Sequence, residues 1–236
     1  MNSTRGLLVR VGIDSSCGGW NVPCDIQSRS FVYIPIPESK KQHFSLETNF
    51  NEFKRSVEKL NAIFPTILNG QATHLDPDFR YLTYGDQGQR AARIQKIVSE
   101  SDNSFLVFYA ALRDAQTSAL IYAMIGFYWI AELVEASTVK KSKWRENAHT
   151  RRKTNDRDII VRAIPNRSGR LDKFVAIGCY RNRAYRIDKS ILDAWGGLDV
   201  QDGYIQRSAF LPEFRNPSRF LDWLSRQKVN LLARNH

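Results

Sequence analysis

The sequence predicts an α+β fold in which strands dominate, and three observations carry that reading. Residues 104–111 (SFLVFYAA) and 120–134 (LIYAMIGFYWIAELV) are dense in aromatic and β-branched side chains, as buried strands require. Apolar residues at helical spacing are confined to short segments. Strands do not alternate with helices, which disfavours a doubly wound α/β sheet. At 236 residues, with 42% hydrophobic and 25% charged side chains, the chain can bury a real core. A single domain over 1–236 is expected.

The elements follow in order. Residues 7–13 (LLVRVGI) read as an apolar strand ending in the turn DSSCGG at 14–19. Residues 31–37 (FVYIPIP) read as a second strand, whose two prolines force its end to an edge or out of the sheet. Phe50, Phe53, Val57 and Leu60 recur at helical spacing, predicting an amphipathic helix over 50–62. Residues 71–86 (QATHLDPDFRYLTYGD) are loop-like, and 89–99 form a short helix. The two apolar strands come next, joined by a hairpin loop at 115–118, and alternation places Phe108 and Tyr109 on opposite faces, with at most one in the core. Strands at 158–164 and 174–177, a turn at 195–197 and a helix over 217–232 complete the chain.

The longest apolar run, 119–131, is too short to span a bilayer, and the start MNSTR has no apolar leader. An intracellular protein with no membrane partner is therefore expected. Three cysteines without C-x-x-C spacing argue against a disulfide framework or a zinc knuckle.

The formal charge of +11 is unevenly spread. Residues 1–139 carry 13 basic and 14 acidic side chains, 140–189 carry 16 and 5, and 190–236 carry 6 and 5. The whole excess thus sits in one segment, 140–189, which marks it as a nucleic-acid-contacting surface. Arg145, Arg151, Arg152, Lys153, Arg157 and Lys173 are its candidate phosphate contacts. Tyr109, Trp129 and Trp144 are candidate base-stacking walls, and Arg113 at a strand end could hold a phosphate or base edge.

Four residues offer proton-transfer chemistry. His74, Asp76 and Asp86 form the densest imidazole and acid cluster, and His149 lies among cations where a neutral imidazole can accept a proton. The competing reading of Asp76 is a structural turn around Pro77. A divalent metal is the cofactor this cluster would suit if the chain is an enzyme, and the sequence fixes none. Asp14, Ser15, Gly18 and Gly19 read either as a tight turn or as an anion-cradling loop, without the Lys of a P-loop.

In this order the motifs resemble a known family. GIDSSCGG at 12–19, YIPIP at 33–37, HLDPD at 74–78, TYGD at 83–86, LVFYA at 106–110, NAH at 147–149 with Arg151 and Arg152, and GG at 196–197 with IQRS at 205–208 are similar to the third family of nucleotide-modification-associated domains. The resemblance runs from about residue 7 to residue 224 and implies a nucleic-acid context without fixing a reaction. A looser likeness joins FLVFY at 105–109 and IGFYWIA at 125–131 to the paired core strands of EVE and other PUA-like domains. It implies a small PUA-like barrel with helical additions and an aromatic pocket for a modified or flipped base.

The expected function is accordingly binding of nucleic acid, DNA ahead of RNA, in connection with base modification, with a base held in an aromatic pocket. The alternative is an enzyme acting on DNA, such as a glycosylase, endonuclease or base-modifying enzyme, that uses His74, Asp76, Asp86 or His149 for proton transfer.

Overall fold

The computed structural model describes residues 3–16, 19–206 and 209–236. The chain runs through β1 (Thr4–Arg10), β2 (Val22–Asp25), β3 (Ser30–Phe31), β4 (Ile36–Pro37), α1 (Lys54–Glu58), β5 (Thr73–His74), β6 (Thr83–Asp86) and α2 (Gly88–Ser99). It continues through β7 (Asn103–Asp114), β8 (Leu120–Glu135), β9 (Ile159–Ala163), β10 (Gly169–Arg181), β11 (Ala184–Ile187), α3 (Lys189–Trp195), α4 (Pro217–Ser225) and β12 (Leu231–Leu232). The α+β, strand-rich expectation holds.

The two apolar runs form the central hairpin, β7 antiparallel to β8. β1 and β2 both lie parallel to β7 on its other edge, pairing with successive stretches of it. β8 is long enough to serve two partners: its first half pairs with β10 and its second half with β9. β9 in turn carries β6, and β4 and β5 form a separate two-stranded ladder. The sheet does not close on itself, so the PUA-like barrel expected from the looser likeness is replaced by an open, mixed sheet.

Both faces of the central hairpin are covered. Leu106, Phe108 and Ala110 face a core completed by Ala91, Ile94 and Ile97 of α2, whereas Phe105, Val107 and Tyr109 face one built on Trp195 and Phe220 of α3 and α4. This corrects the expectation that only one of Phe108 and Tyr109 is core: both are fully buried, on opposite sides. A strand buried on both faces reads as a continuous apolar run, because each large side chain removed from water contributes about 1.5–3 kcal/mol on either side.

Two predicted helices are shorter than their apolar spacing. The segment after residue 50 is a turn of 3-10 helix, Phe50–Phe53, capped by Asn49 and leading into α1, and Asn61 takes a left-handed conformation beyond its end. The final helix begins at an Asn216 cap with Pro217 in its first turn but stops at Ser225. Residues 231–232 then pair with β10, where the absence of a Cβ on Gly169 admits the Leu232 backbone. No helix among the described residues is long and apolar enough to cross a membrane.

Candidate functional site

Three short elements and one loop meet at a cleft of about 610 Å³. The β4–β5 ladder sets Ile36 opposite His74, and Glu38, the residue just past β4, reaches the His74 ring. Asp76 follows β5 and turns back to β6, where both its carboxylate oxygens accept from the Gly85 amide. The Asn147 side chain ties the loop down: its amide donates to Asp76 and Thr83, and its carbonyl oxygen accepts from the His149 amide. Gly85 is needed here, since a Cβ would lie 2.4 Å from the His149 ring.

Each imidazole has a carboxylate behind it. His74 Nδ1 lies 2.7 Å from Glu38 Oε2, and His149 Nδ1 lies 2.8 Å from Asp158 Oδ2. Both Nε2 atoms therefore turn toward Asp76 Oδ2, at 3.9 Å from His74 and 3.6 Å from His149. The two rings stand edge to face, with centroids 5.0 Å apart. Arg152 lies behind them, within ion-pair distance of both Glu38 and Asp158. One donor atom from each of His74, Asp76 and His149 falls within 4.8 Å of the others, so these three could hold a metal ion.

The charge balance follows from this packing. Burial holds Asp76 well above the usual carboxylate range, with nearby Asp86 and Asp78 adding to it against the Gly85 hydrogen bonds. Burial also pushes Glu38 and Asp158 up, but their hydrogen-bonded histidines and Arg152 outweigh it and hold both below the usual range. His74 is lowered, chiefly by burial, so its neutral form is favoured.

A second polar cluster flanks the cleft. The Tyr84 hydroxyl donates to Asp86 at 2.5 Å, and Arg90 on α2 donates to both Asp86 and the Tyr84 oxygen. On the opposite wall Asp14 accepts from the Ser16 amide and hydroxyl and pairs with Arg10 at 2.6 Å. That is the side-chain-to-backbone bonding of a tight turn. Ser15 and Gly19 are exposed there, and Gly18 lies outside the described residues.

His74, Asp76, Asp86 and His149 thus line one cleft. Of the expected nucleic-acid contacts Arg152 lines it, and the others do not gather around it. Tyr109 is fully buried and donates its hydroxyl to Ile205 O. Trp129 packs against Phe105 and Phe127 with Arg167 above it, and Trp144 stacks on His43. Arg113 is exposed and bonds within its own hairpin, to Ser118 O. Arg151 and Arg152 are only 2% and 3% exposed, held by Asp78 and by Glu38 and Asp158, so neither presents its charge at the surface. Arg145, Lys153, Arg157 and Lys173 are exposed.

Sequence reading missed Glu38, Gly85, Asn147 and Asp158 as site residues. The NAH motif at 147–149 was visible, but Asn147 had no chemistry of its own to mark it. Glu38 and Asp158 stand 36 and 9 residues from the histidines they orient, and only the fold joins them.

Residues 5–190 match a family model described as nucleotide modification associated domain 3. No curated protein and no solved structure matches the chain.

Proposed function

We propose, from the premise that this chain belongs to the nucleotide modification associated domain 3 family, that it is an enzyme altering a nucleotide in the cleft over His74, Asp76 and His149. One observation carries the reading. Two imidazoles, each oriented through Nδ1 by a buried carboxylate, turn their remaining nitrogens onto a third carboxylate at the cleft surface. Such preorganisation costs folding energy and gains nothing for a surface that only grips a polymer.

The cleft walls support chemistry over passive stacking. They are lined largely by charged and polar groups, and Tyr109, Trp129 and Trp144 are not among them. The exposed Arg145, Lys153, Arg157 and Lys173 suit contacts to a phosphate backbone. We take DNA ahead of RNA as the polymer, and a base would have to leave the stack to reach the cleft.

The test is incubation of the purified chain with duplex DNA, single-stranded DNA, RNA and free nucleotides, with divalent metal salts or with chelator. Products are then analysed as nucleosides and as strand lengths. An altered nucleoside, an abasic site or a strand break, lost in His149→Ala while salt-dependent binding persists, is expected. Tight binding with no product from any substrate would replace the enzyme by a reader that recognises a base without changing it.

A further inference from the structure

We propose that His74, Asp76 and His149 form the protein ligands of a divalent transition-metal centre, with Glu38 and Asp158 as the groups that orient its histidines. This deepens the functional reading at the same cleft, but its test is metal binding itself.

Three observations converge. The first is the direction of the rings. A ligating histidine almost always donates its other ring N–H to a carboxylate or carbonyl, which fixes the tautomer and aims the free nitrogen at the metal. Here both histidines have that arrangement, each from a different stretch of chain. His149 is only 4% exposed, yet its Nε2 makes no hydrogen bond to the described residues.

The second is spacing. At 3.6 and 3.9 Å from Asp76 Oδ2, the two Nε2 atoms are too far for hydrogen bonds and too close to admit a water between them and the oxygen. Donor atoms each about 2.1 Å from one ion, at tetrahedral or octahedral angles, lie roughly 3.0–3.4 Å apart. The three donor atoms lie within 4.8 Å of one another, so side-chain movements of about 1 Å would complete the set.

The third is charge. Glu38, Asp76 and Asp158 surround the imidazoles, and Arg152 is the one guanidinium that faces them within ion-pair distance among the described residues. The neighbouring Asp86 and Asp14 are matched by Arg90 and Arg10. Three acid side chains thus meet one guanidinium around the two imidazoles in a largely buried place. A buried carboxylate needs a positive partner, and a divalent cation between His74, Asp76 and His149 would supply one.

Two histidines and one carboxylate leave open coordination positions toward the cleft, where a water or a substrate atom would bind. Imidazole donors favour zinc, iron or cobalt over calcium and magnesium, with manganese between the two groups.

The experiment uses the full chain stripped with a chelator, then titrated calorimetrically with Zn²⁺, Mn²⁺ and Co²⁺, with the visible spectrum recorded for Co²⁺. One ion per chain is expected, with cobalt d–d bands and a rise in Tm on loading. Asp76→Asn and His149→Ala should weaken binding at least about 100-fold, Glu38→Gln about 10–100-fold, and His43→Ala, outside the cleft, should leave it unchanged. If His149→Ala does not fold, His74→Ala at a more exposed position, together with the cobalt spectrum of the intact chain, decides the matter. A folded, stripped chain that takes up none of the three ions at millimolar concentration overturns the proposal, as does binding that Asp76→Asn and His74→Ala leave intact. Nucleotide turnover that persists in chelator without bound metal would keep the enzyme reading and refute the metal; a metal-loaded chain inert on every nucleotide substrate would do the reverse.

Discussion

Gly85→Ala adds one methyl group at the point where β6 crosses the histidine loop, and its effect can be worked from the geometry. The new Cβ would lie 2.4 Å from His149 Cδ2, 2.9 Å from His149 Cγ and 2.7 Å from Asn147 Oδ1. Ordinary contact begins near 3.4 Å, so the His149 ring or the strand must yield by about 1 Å. Gly85 does not use a left-handed conformation, so alanine brings no backbone strain and even restricts the unfolded chain slightly. The penalty is therefore steric and local. Overpacking of this kind costs about 1–3 kcal/mol, or a fall in Tm of roughly 2–12 °C for a chain of this length. A misplacement near 1 Å at reacting groups can cost about 10²-fold in turnover. The assay pairs thermal unfolding with metal titration and product yield, using Gly178→Ala as control. That substitution meets Tyr122 Cβ at 2.6 Å on β10, outside the cleft, and should destabilise comparably while sparing metal and product. Equal loss of function in both variants would mean that stability, and not the position of His149, is being read. Wild-type behaviour of Gly85→Ala in every measurement would refute the packing described.

Other substitutions test the charge and turn assignments. Arg151→Met should cost about 3–5 kcal/mol in urea unfolding, because it strands Asp78 in the interior; lost DNA affinity at unchanged stability would show that Arg151 faces solvent after all. Reversing Arg145, Lys153 or Arg157 to Glu should leave Tm near wild type and, for each true phosphate contact, reduce the slope of log affinity against log salt by about 1. Burial pushes the Cys24 thiol up to about 12, so alkylation at pH 8 should spare it in the native chain and label it only after denaturation. Asp114 holds the β7–β8 turn, and hydrogen bonds from the Thr117 hydroxyl and amide keep its carboxylate below the usual range. A depressed carboxylate stabilises above its unfolded value, near 3.9, and loses that contribution as pH falls through the folded one. Asp114→Ala should accordingly lower Tm by a few degrees at pH 7, with the difference from wild type shrinking in acid below about pH 4.

How far the sequence could be read depends on how local each signal is. β7 and β8 were legible because both faces of each are buried, so composition alone marks them. α2 was legible because Ala91, Ile94 and Ile97 repeat at helical spacing. β10 was read as four residues and spans Gly169–Arg181, since its alternation is broken by shifts of register against β8. The end of the last helix was misread because Leu231 and Leu232 continue an apolar pattern that pairing with β10, 60 residues away in sequence, turns into strand. In the site, His74, Asp76 and Asp86 were found together because they lie within one loop and strand. His149 comes to them from a distant part of the chain, held in part by Asn147, whose side chain reaches Asp76 across 71 residues. Arg151 and Arg152 show the limit most clearly. A run of basic residues looks like a surface until its acidic partners are known, and Asp78 and Glu38 belong to another part of the chain.

Those buried arginines change the meaning of the confined charge. Part of the basic segment's excess is paired with the rest of the chain, in the interior through Arg151 on Asp78 and Arg152 on Glu38, and nearer the surface through Arg162 on Glu132. The segment therefore acts first as the electrostatic complement of the rest of the chain and only second as a surface. What remains outside, at Arg145, Lys153, Arg157 and Lys173, is the charge that the proposed contact to a polyanion would use. The cleft differs, because its acid groups Asp14, Glu38, Asp76 and Asp86 are matched by Arg10, Lys40, Arg90 and Arg152. A phosphate-bearing ligand drawn to the surface would meet no excess of positive charge in the cleft until a divalent cation sits between His74, Asp76 and His149. The same ion that completes the ligand set would thus also set which state of the cleft can receive a nucleotide, so that metal and nucleotide must each strengthen the binding of the other.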